Sequence, residues 1–237
     1  MRLAIIQSCY IPWKGFFDLI GRVDRYVVLD GAQYVKRHWH NRNRIMTPGG
    51  PIWLTIPVAT KSRFEQPIDQ VGFAEPWADK HWRSIELAYR KSPFFAEEAP
   101  ALKALYEAAE RLERLTDVNT LFLNALMKRL DISTTMVRDS EFSPQGVRTA
   151  RLLDICIKAG ATKYLSGPSA REYLDESSFA AAGIAVEWMS YGPYQAYPQR
   201  GPAFDHAVSV IDLLFSIGPG AASHCRPLAD EPAAGIG

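Results

Sequence analysis

The residues best suited to chemistry crowd into one stretch, Asp30-Gly-Ala-Gln33-Tyr-Val-Lys36-Arg37-His38-Trp39-His40-Asn41-Arg42-Asn43-Arg44. No acidic residue lies between Asp30 and Glu65, whereas Lys36, Arg37, Arg42, Arg44, Lys61 and Arg63 all fall in that window. Arginine offers a planar fork of donors that matches phosphate or carboxylate, and asparagine adds directional donors and acceptors. The chemistry this suits is recognition of an anion or a nucleotide. A solvated hairpin whose charges keep an edge soluble is the plainer alternative. The crowding of Trp, His and Asn among the cations favours the first.

Two helix starts add to it. Pro12-Trp13-Lys14-Gly15 follows a short apolar run, and Ser166-Gly167-Pro168-Ser169-Ala170-Arg171 follows another. Free amides at a helix start, with the helix dipole behind them, seat phosphate, and Lys14 or Arg171 would add charge. A tight strand-to-helix turn and a well-capped helix explain them equally well. Tyr191, Tyr194 and Tyr197 lie in a Gly/Pro-containing stretch. They suit either a sugar or base pocket or a loop anchored on the core. His38 and His40 have no carboxylate nearer in sequence than Asp30, so no metal constellation is complete. Cys9 follows the first apolar run, as a candidate nucleophile or, more simply, a core residue. Cys156 reads as core and Cys225 as tail.

The surrounding elements must hold these groups. Residues 3–7 and 26–29 read as buried strands on either side of a helix-period segment, a βαβ unit. Arg44-Ile45-Met46 and residues 52–56 flank Thr47-Pro48-Gly49-Gly50-Pro51, which is hairpin chemistry. Residues 79–131 carry three helical pieces, broken near Ser92-Pro93 and Thr116-Asp117. Alternation then resumes, with strands at 135–137, 164–165 and 184–188 and helices at 147–159 and 170–182, closed by Gly160 and Gly183. The pattern predicts a doubly wound, mostly parallel, Rossmann-like α/β sheet with a helical insertion and a β-hairpin. One α/β domain over residues 1–217 is expected, with residues 218–237 a frayed tail.

The 237 residues carry 27 basic and 26 acidic side chains, a net charge of +1, and 47% are hydrophobic. That composition excludes a mostly disordered or generally basic chain, so any anion site must be local. Three scattered cysteines form no CxxC pair. The apolar opening is interrupted by Gln7, Ser8 and Pro12, unlike a signal peptide, and no run reaches membrane-spanning length. A cytoplasmic protein without membrane insertion is expected.

Read together, several stretches resemble the WbqC-like protein family. They are residues 3–7 ending in Gln7; Tyr10-Ile11-Pro12 with Gly15-Phe16-Phe17-Asp18-Leu19-Ile20; Asp30, Gln33, Lys36 and Trp39 with Asn41-Arg42-Asn43-Arg44-Ile45; Trp53, Thr55 and Pro57; Tyr164 to Gly167; Tyr173-Leu174; and residues 210–215. Ser8-Cys9 and His38 depart from the family's pattern. The resemblance implies a place in O-antigen or other surface-polysaccharide biosynthesis, and a suggested role as a glycine (aminoacyl) transferase acting on an amino sugar. On that implication, Lys36, Arg42 and Arg44 bind phosphate, Asn41 and Asn43 orient the substrate or stabilise an oxyanion, and Asp30 is the base. Gln7, Gln33, Trp39 and Tyr197 join Lys14, Gly15, Ser166, Gly167 and Arg171 as substrate-binding candidates. The partner would be a sugar nucleotide or other phosphorylated small molecule, and the donor a nucleotide or an aminoacyl-tRNA. Two alternatives stand: a nucleotidyltransferase-like enzyme or ATP-dependent ligase that binds a triphosphate at the two helix starts, and a nucleic-acid- or partner-binding module without catalysis.

Overall fold

A computed structural model describes residues 1–60 and 65–228; Lys61 and Arg63 lie outside the described residues. In chain order the elements are β1 (Arg2–Ile6), α1 (Lys14–Ile20), β2 (Arg25–Val28), β3 (Arg42–Thr47) and β4 (Gly50–Thr55). Then come α2 (Ala78–Tyr89), α3 (Phe95–Ala109), α4 (Leu115–Arg129), β5 (Thr135–Arg138), α5 (Thr149–Lys158), β6 (Lys163–Ser166), α6 (Glu176–Ala181), β7 (Ala185–Trp188), α7 (Val210–Ile217) and α8 (Ala221–His224). Five strands form a parallel sheet in the order β5-β2-β1-β6-β7, and β3 and β4 form a separate antiparallel hairpin. The α/β reading of the sequence therefore holds.

Strand alternation divides the core. Leu3, Ile5 and Val27 pack on one side of the sheet against Leu152 and Ile155 of α5 and Phe179 of α6. Ala4 and Leu165 face the other side against Leu19 of α1. Beyond α1, helices α2, α3, α4 and α7 build a second large core with Tyr10, Phe17 and the hairpin's Ile45 and Leu54. Because β1 is central, the chain order reverses between β1 and β6, and the segments leaving them diverge there. In an open α/β sheet that divergence makes the ligand crevice, outside the carboxyl ends of the strands.

Local chemistry places some boundaries differently from the sequence pattern. The second break between the middle helices falls at residues 110–114, where the Leu115 amide donates to the Val71 carbonyl at 2.9 Å. Thr116 and Asp117 lie inside the first turn of α4. Residues 170–182 do not form one helix. A 3-10 turn, Pro168–Glu172, is followed by α6, which starts afresh because the Asp175 side chain accepts from the Ser177 amide at 3.1 Å. Residues 218–225 are not frayed either: α8 docks there and buries Ala221 and Cys225.

Candidate functional site

A crevice of about 240 Å³ opens at the carboxyl end of β1. Ile6 and Cys9 come from the end of that strand and the loop after it, Pro12, Trp13 and Phe16 from the turn into α1, and Trp39, Asn43 and Ala207 from the facing segments. A larger cavity of about 680 Å³ lies at the opposite edge, among Asp24 and Thr134, which immediately precede β2 and β5. Strand starts are the wrong end of a parallel sheet for chemistry, so the smaller crevice is the candidate site.

The wall after β1 is held under strain. Ile11 has φ +37°, an unfavourable backbone for a β-branched residue. Asn43 clamps it: its amide Nδ2 donates to the carbonyls of Tyr10 at 3.1 Å and Ile11 at 2.9 Å, and its Oδ1 accepts from the Arg44 amide at 2.8 Å. The Tyr10 hydroxyl reaches into the helical layer, 2.9 Å from His81 Nδ1 on α2 and 2.6 Å from the Tyr106 hydroxyl on α3. His81 Nε2 lies 3.2 Å from the Thr55 carbonyl. A carbonyl only accepts, so Nε2 carries the proton and Nδ1 accepts from Tyr10. The helices between hairpin and sheet thus fix one wall of the crevice.

Behind it sits a second polar network. Asp30 accepts from the Ser8 amide (2.9 Å), the Ser8 hydroxyl (2.7 Å) and the Thr116 hydroxyl (2.5 Å). Burial nevertheless pushes its carboxyl above the ordinary value, against the pull of those donors. Asn119 Nδ2 donates to the Ser8 hydroxyl and to the His40 carbonyl, both at 2.9 Å. His40 Nδ1 lies 3.0 Å from the Ser8 carbonyl, which assigns it the proton and leaves Nε2 a bare acceptor without a partner. Burial lowers the His40 pKa to about 4, so the ring is neutral at pH 7. Ser8, His40 and Asp30 do not form a nucleophile relay, because His40 engages the carbonyl of Ser8 and Asp30 holds its hydroxyl.

The residues singled out from sequence separate into several groups. Trp39 and Asn43 line the crevice; Arg42 and Arg44 lie on the opposite face of β3, and of the two Arg44 reaches the crevice residue Ala207, its guanidinium 3.5 Å from that carbonyl. Asn41 braces the loop, accepting from the Tyr34 hydroxyl at 3.0 Å and donating to the Ile56 carbonyl at 2.8 Å. Asp30 does not line the crevice but ties the end of β2 to β1 and α4. Gln7 is half-buried after β1, while Gln33 and Lys36 are exposed on the cationic loop. Lys14 and Gly15 do not offer an open phosphate seat. The Lys14 ammonium is buried, donates to the Gln195 carbonyl at 3.1 Å, and lies 5.2, 5.1 and 5.7 Å from the ring centres of Tyr194, Tyr197 and Phe204. Gly15 is covered by the Trp13 indole.

Tyr194 and Tyr197 anchor their loop by donating to Asp18 and Asp212, each at 2.7 Å. Tyr191 is the one that meets the site, its ring 5.3 Å from that of Trp13. Its hydroxyl lies 3.8 Å from where a Cβ on Gly167 would stand, so Gly167 borders the crevice through it. Ser166 is buried at the end of β6, its carbonyl accepting from the Met189 amide at 2.8 Å. Arg171 stacks 5.1 Å over Trp188, a residue packed on the α5–α6 side of the sheet, away from the crevice. The two helix starts therefore do not converge on one ligand. Cys9 is no activated thiol, since burial and the nearby Asp30 push its pKa up to about 12.

The sequence reading passed over Trp53, His40, Thr116 and Asn119 as site-forming residues. Trp53 was within reach: the two-residue loop Pro48-Gly49 sets Arg44 directly opposite it. The buried network joins residues up to 111 positions apart and has no local signature.

A family model matches residues 7–224, which spans both the crevice and its supporting network. The chain belongs to the WbqC-like protein family. The uncharacterized protein Rv1507c of Mycobacterium tuberculosis (strain ATCC 25618 / H37Rv) is 42% identical over 226 residues, covering 95% of this chain and 97% of that protein. No solved structure matches the chain. For this WbqC-like protein, no helix among the described residues is long and apolar enough to cross a membrane.

Proposed function

We propose that this WbqC-like protein transfers an acyl or aminoacyl group, glycyl in the first instance, to the amine of a phosphorylated amino sugar used in surface-polysaccharide assembly. The observation that carries this reading is the character of the crevice: aromatic walls, no carboxylate among the described residues of its lining, and Arg44 against the lining residue Ala207. Indole faces suit the apolar faces of a sugar ring. Arg44, whose guanidinium is 3.5 Å from the carbonyl of the crevice residue Ala207, and Arg42 beside it supply the phosphate contacts.

The same lining prepares the nucleophile. An ammonium moved against Trp13, Phe16 and Trp39 loses hydration and meets no carboxylate among the described residues of the lining, which favours the neutral amine. Burial acts the same way on this chain's own Lys14, holding its pKa near 8. The neutral amine attacks the acyl carbonyl of an ester donor. The N–C bond forms, the bond from acyl carbon to donor oxygen breaks, and the amine proton leaves with that oxygen. Alignment in the narrow crevice supplies rate by proximity, and Asn43 acts as a positioning residue through the Tyr10–Ile11 wall.

The test is the polysaccharide repeat unit, analysed by mass spectrometry from a strain of the source organism lacking this chain. A free amine where the complemented strain carries an amide is the expected result. An unchanged repeat unit overturns the reading.

A further inference from the structure

We propose that the outer face of the β3–β4 hairpin binds a nucleobase and its diphosphate, so that the phosphorylated acceptor is a nucleoside diphosphate sugar. Which end of that ligand points inward rests on the crevice reading above; the platform itself rests on independent observations.

The first is register. Arg44 pairs with Trp53 and Arg42 with Thr55, and strand alternation sets Arg42, Arg44 and Trp53 on one face. The Arg42 guanidinium lies 4.2 Å over the Trp53 ring and that of Arg44 5.8 Å from it. Arg44 also pairs with Asp205 at 3.1 Å, which holds its fork in place. The second is exposure. Trp53 is 46% and Trp39 38% exposed, and their ring centres are 5.3 Å apart at 36°. Two adjoining half-exposed indoles form a surface on which a flat base stacks.

The third observation is the pair of guanidinium groups. Arg42 and Arg44 are both half-buried, Arg42 donating to the Arg37 carbonyl and Arg44 paired with Asp205, and phosphate oxygens are the acceptors that their planar forks fit best. Trp39 belongs both to this face and to the crevice wall, so a base outside and a sugar inside are one continuous ligand. A mononucleotide fits better than a polynucleotide. The stacking surface is two indoles wide, and a net charge of +1 gives a long phosphate chain little to follow.

The experiment titrates the full chain with uridine, cytidine, adenosine and guanosine 5′-diphosphates, with inorganic pyrophosphate, and with a single-stranded oligoribonucleotide, reading tryptophan fluorescence and calorimetry. At least one nucleoside diphosphate is expected to quench fluorescence and to bind at least about ten-fold more tightly than pyrophosphate, the margin that stacking one base provides. Trp53→Leu should erase that margin, and Arg42→Lys, which keeps the charge but loses the planar fork, should weaken binding several-fold. Near-ultraviolet circular dichroism checks that both variants fold.

Pyrophosphate binding as tightly as every nucleoside diphosphate, tighter binding of the oligoribonucleotide, or no binding at all overturns the platform. Nucleotide binding alongside an unchanged polysaccharide leaves the platform standing and removes the transferase reading. Amide loss in the deletion strain without nucleotide binding does the reverse.

Discussion

The indole of Trp13 lies on the backbone of Gly15, so closely that a Cβ at position 15 would stand 2.3 Å from its Cζ2. This contact makes the aromatic wall of the crevice possible, because the first turn of α1 leaves room for the ring only where there is no side chain. Two effects oppose each other in Gly15→Ala. Helix propensity favours alanine by up to about 1 kcal/mol, whereas forcing a methyl group into a packed ring costs about 1–3 kcal/mol. Overpacking wins, so denaturant unfolding should show a net loss of about 1–2 kcal/mol. The same substitution made together with Trp13→Ala should be neutral or stabilising. A loss of equal size in both backgrounds would mean the indole is not what the methyl group meets.

Asn43 holds the opposite side of that wall. Its Nδ2 satisfies two buried carbonyls, one of them on strained Ile11. Asn43→Asp keeps the size and removes both donors. Leaving buried acceptors unmet costs about 1–3 kcal/mol each, so a loss of about 2–6 kcal/mol is expected. On the proposed transferase reading, activity should fall further than the stability of the folded fraction explains, since the Tyr10–Pro12 wall is released. Unchanged stability in the Asn43→Asp variant would remove Asn43 as the clamp.

Much of the scaffold was legible because its signals are local. The apolar run at residues 3–7 and the aromatic, β-branched run at 26–29 are buried strands, and Thr47-Pro48-Gly49-Gly50 permits only a tight reversal. Strand alternation parts the crowded stretch, sending Asn43 to the crevice and Arg42 and Arg44 to the outer face of the hairpin. Lys14 was harder to read, since a lysine at a helix start reads as a phosphate ligand. Its burial depends on Tyr194, Tyr197 and Phe204, about 180 to 190 positions later, folding over it. Asp30 reads as a base only through the family resemblance. What decides its use is Thr116, 86 residues away, and no periodicity announces that contact.

His40 and His81 give the protein a defined acid response. Burial lowers both from 6.5 to about 4. Between those values the unfolded chain binds protons that the folded chain refuses, so stability falls as pH drops from 6.5 towards 4. The full shift corresponds to about 3 kcal/mol for each ring. His40→Asn retains a donor near the Nδ1 position and cannot ionise. Urea unfolding at intervals from pH 7.5 to 4.5 should give a shallower decline in that variant, with the His81 share remaining. Parallel profiles for the two proteins would show that His40 is not the group being titrated.

The alkaline side is governed by Lys14, and its sign is opposite to that of a lysine gaining an ionic partner. Burial depresses its pKa from 10.5 to about 8, with Cys225 and Asp212 only partly offsetting the loss of hydration. Below pH 8 the folded state carries a charge that the unfolded chain holds more comfortably. Above pH 8 the folded protein releases that proton while the unfolded chain still binds it, so the penalty is progressively relieved up to about 10.5. Lys14→Met fills the same aromatic cage with an uncharged chain and has no such dependence. Relative to that variant, the wild type should gain about 2 kcal/mol between pH 8 and pH 10. Taking the difference between the two proteins cancels the tyrosine and cysteine titrations they share. A difference that stays flat across this range would mean that the ammonium remains hydrated and that the aromatic cage does not close over it.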